Sequence, residues 1–169
     1  MYSEELSELI GTLSVTADRL TDLVRDLSDQ DLRRQGSEGE FSVIENVCHL
    51  RDIEAEGYAA RLSRIISEDR PSLPDIDGSR LAIERAYNSQ NIEHALRGFA
   101  AARQRNVTLL RGLQATQFER RGILEGVGEL TLHQLMLMMC EHDAGHIEDL
   151  RGLRRRAKLI SGSAGSLAC

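Results

Sequence analysis

His142 and His146 stand four residues apart in the stretch "MMCEHDAGHIEDL", in a chain with only five histidines among 169 residues. At about 100° per residue, a helix turns His146 some 40° from His142, so both imidazoles leave the same side. Thr131, Leu135, Met138, Met139, Asp149 and Leu153 share that side, and its large apolar members mark it as the inward face. Two imidazoles one turn apart are a geometric pair of ligands for a divalent ion.

A third imidazole, His49, lies in "ENVCHLRDIEAE". Its helical face collects Ser42, Glu45, Asn46, Asp52, Ile53 and Glu56, and apolar residues such as Ile44, Val47, Cys48 and Leu50 flank that polar stripe on both sides. Burying the helix carries the stripe inward, and each buried charge then needs a partner. An ion held by His49, His142 and His146 would be such a partner, with positions left open for water or substrate. The alternative is a set of hydrogen-bonded core histidines without an ion, and spacing alone does not separate the two.

Other metal motifs fit less well. A zincin needs Glu directly after the first histidine, and position 143 is Asp. A di-iron bundle needs Glu three residues before a histidine on two helices, and His49 has Asn46 there. His133 is a candidate for the rim of a site, and His94 reads as a solvated residue.

These residues need long helices to carry them. Both prolines, Pro71 and Pro74, fall in "EDRPSLPDIDGS", which leaves two long proline-free stretches. Apolar spacing predicts helix 1 over residues 3–28, with Glu4, Glu5 and Glu8 at its start, where the helix dipole favours acids. Ser42 and Glu45 form an S-x-x-E capping box that opens helix 2, expected to run to Ser67. After a short turn or helix, Ser89 is the expected N-cap of helix 3, which ends near Leu113 beside Gly112. "ATQFERRGILEGVGEL" reads as a loop with a tight turn at Gly126 to Gly128. Thr131 and Gln134 form a second capping box, opening helix 4 to Lys158, and residues 159–169 read as a flexible tail.

The expected fold class is therefore all-α, one four-helix-bundle domain over residues 1–158. The long link between helices 2 and 3 can span the bundle, which suggests up-down-down-up topology with a crossover there.

A net charge of −6 argues against a nucleic-acid surface. The bases are all Arg except Lys158. Three cysteines without CxxC spacing, Cys48, Cys140 and Cys169, indicate neither a disulfide framework nor a cysteine zinc site, and fit a reducing cytoplasm. "MYSEELSELI" is acidic where a signal peptide is basic and then apolar, and no apolar run is long enough to span a membrane.

"FSVIENVCHLRDIE" followed by "LTLHQLMLMMCEHDAGHIEDLRGL" resembles the DinB/YfiT-like superfamily of metalloenzymes over about residues 5–157. Phe41-Ser42-Val43 with His49 matches the family's first motif, and Thr131-Leu132 with Glu141, His142 and His146 its second. Phe41 departs from the family's frequent Trp, and Ala144-Gly145 from its bulkier residues. The resemblance implies His49, His142 and His146 as the three metal ligands, a divalent ion such as zinc or nickel, the same bundle topology and homodimers. It also implies a metal-dependent enzyme of the thiol S-transferase type, or a related transferase or hydrolase, acting on a small molecule, with a low-molecular-weight thiol as a candidate co-substrate. Glu45, Asp52 and Glu56 are the candidates for orienting His49 or moving a proton, with Asp149 a further candidate beside His146. The competing reading is a non-catalytic, stress-related bundle with a structural metal and a binding or dimerisation role.

Overall fold

Ser42 begins the second long helix as its motif requires. Its hydroxyl accepts from the Glu45 amide while the Glu45 carboxylate accepts from the Ser42 amide. In the computed structural model, which describes residues 2–37 and 39–165 and side chains from residue 4 to residue 160, that helix runs without a break from Val43 to Ser67. Its middle is unusual. Between α3 (Val43–Asp52) and α4 (Ala59–Ser67), residues Ile53–Tyr58 form a π turn, one residue wider than an α turn.

Helix α1 (Tyr2–Val24) stops earlier than expected, because Asp26 takes a left-handed conformation and Ser28 caps a separate short helix, α2 (Asp29–Arg33). After the prolines come strand β1 (Ser72–Leu73) and helix α5 (Gly78–Glu84), capped by Asp77. The third long helix, α6 (Ile92–Arg111), is capped by Asn91 rather than Ser89, which lies in a 3-10 turn. The expected loop at 115–130 is instead a 3-10 turn followed by a hairpin, β2 (Arg121–Leu124) and β3 (Gly128–Thr131). Gly126 and Gly128, both at positive φ, turn it. β2 pairs antiparallel with β3 and parallel with β1, so the hairpin is tied to the proline segment. Thr131 and Gln134 exchange the expected capping bonds, and α7 (Leu132–Gly165) extends past Lys158. The tail expected over 159–169 thus falls partly on this helix, and its last residues, 166–169, lie outside the described residues.

The four long helices form the bundle, with α1 packed on α6 and α7, and α3 also on α6 and α7. Residue pairs set their directions. Leu9 meets Cys140, Thr16 meets Asp143 and Leu23 meets Arg154, so α1 and α7 run the same way. Asn46 meets His146 and His49 meets His142, so α3 opposes α7.

The core comes in two apolar clusters, one holding Leu13, Leu62, Val107, Leu135 and Met139, the other Leu20, Val47, Phe99, Ile147 and Leu150. Between them each long helix places a buried polar residue: Thr16, Glu54, Arg103 and Asp143. Arg103 bonds Glu54 and Asp143 through two oxygens each, Thr16 donates to Asp143, and Asn106 donates to Glu54. Every member is partnered, which is what makes such burial tolerable. Among the described residues no helix is long and apolar enough to cross a membrane.

Candidate metal centre

The three histidines meet at the level of this polar layer. His49, from α3, faces His142 with Nε2 to Nε2 at 3.1 Å, and its ring centroid is 4.7 Å from that of His146. The His142 and His146 rings are also 4.7 Å apart, and one nitrogen from each of the three lies within 4.8 Å of the others. The sequence spacing and the packing of α3 on α7 therefore bring together all three predicted ligands.

Each imidazole is prepared to present a lone pair. Burial, followed by the neighbouring imidazole, pushes all three down to about 4, so they are neutral near pH 7. The tautomer of His146 follows from Asn46, whose amide nitrogen donates to the carbonyls of Ser42 (2.9 Å) and Phe41 (3.3 Å). The Asn46 oxygen is thereby turned to His146 Nδ1 at 2.7 Å, which must donate, leaving Nε2 bare. His49 and His142 carry buried Nδ1 atoms without a hydrogen-bond partner. Their Nε2 atoms face each other, and two bare imidazole nitrogens at 3.1 Å repel unless a proton or a cation lies between them. Ligands about 2.0–2.1 Å from one tetrahedral ion lie roughly 3.3 Å apart, which the His49–His142 separation matches, and neutral imidazole is a usual donor to such an ion.

Gly78 closes the outer side of His49. A Cβ there would overlap the ring at Cε1 and Nδ1, so the first turn of α5 approaches the imidazole as only glycine allows. Phe41 covers another side, with ring centroids 5.5 Å apart.

The candidate carboxylates have other partners. Glu45 is engaged in the helix cap and with Gln35. Asp52 accepts from Arg51, Tyr87 and Arg85. Burial would raise it, but those bonds outweigh burial and hold its carboxyl below the usual range. Glu56 is clamped by Arg85. Among the described hydrogen bonds none of the three touches an imidazole. Asp149 lines a separate cavity beyond Asn46, and His133 pairs with Glu5 on α1. His94 is exposed at the start of α6.

The imidazoles open onto a cavity of about 440 Å³. Tyr58 and Arg61 from the second long helix, Ile76 from the proline segment, and Glu125 to Val127 from the hairpin turn help form its walls. Sequence reading missed these residues. On a straight 3.6-residue wheel Tyr58 lies about two and a half turns past His49, on the opposite face, and only the wider π turn brings it round. Asn46 did leave a signal, since it shares His49's face one turn earlier. Burial raises the Cys48 and Cys140 thiols to about 11, so neither is a nucleophile near neutrality.

A model of the DinB superfamily matches residues 12–150. A protein of Oceanobacillus iheyensis is 22% identical over 148 residues, 88% of this chain and 84% of its own length. One from Geobacillus thermodenitrificans is 26% identical over 155 residues, 91% of this chain and 86% of its own. Both bear the name "Putative metal-dependent hydrolase". The solved structure of YfiT from Bacillus subtilis is similar with a TM-score of 0.84 at 23% identity, covering 90% of this chain and 87% of that one. That protein is described as "a probable metal-dependent hydrolase with an unusual four-helix bundle topology".

Proposed function

The chain belongs to the DinB superfamily, and from that premise we propose that it is a metal-dependent enzyme that transfers a group from a small molecule to an external nucleophile. His49, His142 and His146 would hold the ion, zinc or nickel. The observation that carries this reading is three neutral imidazoles converging at the floor of a cavity, with Asn46 fixing the tautomer of one. When bound, such an ion is a Lewis acid that lowers the pKa of water or a thiol and so supplies a nucleophile near neutrality.

The chain's own residues position and exclude. Gly78 and Phe41 hold the His49 ring in place, and Asn46 keeps the His146 proton on Nδ1. Tyr58 packs edge-on to His142 with ring centroids 5.9 Å apart, and burial raises its phenol to about 12, so it remains a proton donor.

The finer reading is thiol S-transfer. It is supported by the engagement of Glu45, Asp52 and Glu56 with the helix cap, Arg51, Arg85 and Tyr87, which leaves none of these three carboxylates bonded to an imidazole among the described hydrogen bonds. A thiol, far more acidic than water, needs such a base less. Hydrolysis is the second reading, favoured by the names of the relatives.

Elemental analysis of protein purified without an affinity tag tests the site. Wild type should carry about one divalent ion per chain, and His49→Ala and His142→Ala none. Equal metal in all three removes the proposal. With the ion in place, consumption of a low-molecular-weight thiol by an electrophile should exceed hydrolysis of the same compound. Loaded protein inactive in both assays would leave a structural ion in a binding or dimerisation protein.

A further inference from the structure

Arg61 is the cation of the cavity wall, and its surroundings do not use it up. Its side chain is only 6% exposed. Nε donates to the Pro74 carbonyl at 2.9 Å and Nη2 to Asp75 at 3.1 Å, while the guanidinium carbon sits 5.4 Å from the centre of the Tyr58 ring. Of the five N–H groups in the fork, those two bonds take two, and Nη1 has no protein acceptor among the described hydrogen bonds. A buried guanidinium ordinarily satisfies its donors, so open ones beside a cavity point to an acceptor brought from outside.

The partner it does have is weak competition. Asp75 is 67% exposed and makes a single bond, so its pairing is screened by water and contributes little. An incoming carboxylate could take two parallel bonds from the fork, which are stronger and more directional. The distance also fits. Tyr58 neighbours both groups, its ring centre 5.4 Å from the Arg61 guanidinium carbon and 5.9 Å from the His142 imidazole centre. Guanidinium and imidazole are therefore separated by no more than those two steps, a span of a few carbon atoms plus the contacts at either end.

We propose that Arg61 anchors a carboxylate of the substrate, at the opposite end from the group that meets the three imidazoles. This rests on the reading that His49, His142 and His146 hold an ion. The acceptor is a monoanion because Asp75 and Glu125 also line the cavity and would repel a phosphate dianion more strongly. Planarity favours a carboxylate as well, since it matches the guanidinium fork. The substrate class is thus small, amphipathic carboxylic acids, with a chain short enough to pack between Ile76, Tyr58 and Met138.

Cobalt(II)-loaded protein gives a test that needs no turnover, because its visible spectrum changes when sulfur binds the ion. The probes are mercaptopropionate and mercaptopropanol, which share a thiol and a chain length and differ in one carboxylate. Wild type should bind mercaptopropionate about tenfold more tightly or better. Arg61→Gln should abolish that preference and leave mercaptopropanol binding unchanged. Asp75→Asn, which keeps Arg61 and removes its competitor, should widen the preference and remains informative if Arg61→Gln does not fold. Equal affinities in wild type, a preference that survives Arg61→Gln, or one that narrows in Asp75→Asn would overturn the anchor. Failure of cobalt to load would overturn the ion site and the anchor with it, whereas loaded protein that responds to neither thiol would overturn the anchor alone. A clear response without preference overturns the anchor alone.

Discussion

Asn46 and Gly78 show how much of the site is decided by residues that do no chemistry themselves. Asn46 spends both amide hydrogens on backbone carbonyls of the helix start, so its oxygen can only accept from His146. Asn46→Ala removes that acceptor and should weaken zinc binding about 10- to 100-fold, whereas Asn46→Asp retains it. Competition against a chromophoric chelator measures this, and equal affinity in Asn46→Ala would show the bond to be idle. Gly78→Ala places a methyl into the space of the His49 ring. Metal content should fall while the circular dichroism spectrum stays helical, and full metal content would show that α5 can retreat.

At the scale of elements, the second long helix does two jobs through one irregularity. Its α3 portion holds Asn46 and His49, and its π turn swings Tyr58 and Arg61 into the same cavity while presenting Glu54 to Arg103. The polar layer that results is buried on all sides, with side-chain exposures of 1% for Glu54, 3% for Arg103 and 4% for Asp143. Arg103→Met leaves two carboxylates there without their cation and should cost ~3–5 kcal/mol in denaturant unfolding. Replacing Glu54, Arg103 and Asp143 together by Leu, Met and Leu should restore most of that stability. If the triple variant is as unstable as the single one, the layer is not exchangeable for packing. Capping is the smaller effect. Ser42→Ala should lose about 1 kcal/mol by the same measurement.

For the molecule as a whole, the histidine cluster ties stability to pH. All three imidazoles are held neutral, down at about 4 in the fold against about 6.5 in the unfolded chain. Between those values the unfolded chain binds more protons, so acid favours unfolding. The metal-free protein should keep its full stability above about pH 6.5 and lose ~3 kcal/mol or more as pH falls to about 4. Chemical denaturation across that range measures the slope. A variant with His49, His142 and His146 replaced by Asn should show a much flatter profile, and an equal slope would place the acid sensitivity elsewhere.

The long helices and the three imidazoles were legible in the chain because both depend on short-range periodicity. Capping boxes at Ser42 and Thr131, and two histidines one turn apart, need only the regular α-helix to be read. Strands β2 and β3 were legible in principle, through the alternation around Gly126 and Gly128, but hairpins this short carry little signal beside four long helices. The cavity walls were not legible at all. They depend on where the π turn widens the helix, and that turn holds Glu54, which pairs with Arg103, a residue some fifty positions away. The same holds for the carboxylates: the wheel placed Asp52 and Glu56 beside His49, and tertiary packing gave them to Arg51, Arg85 and Tyr87. Periodicity fixes which side of a helix a residue takes, while charge pairing across helices decides which neighbour it finds there.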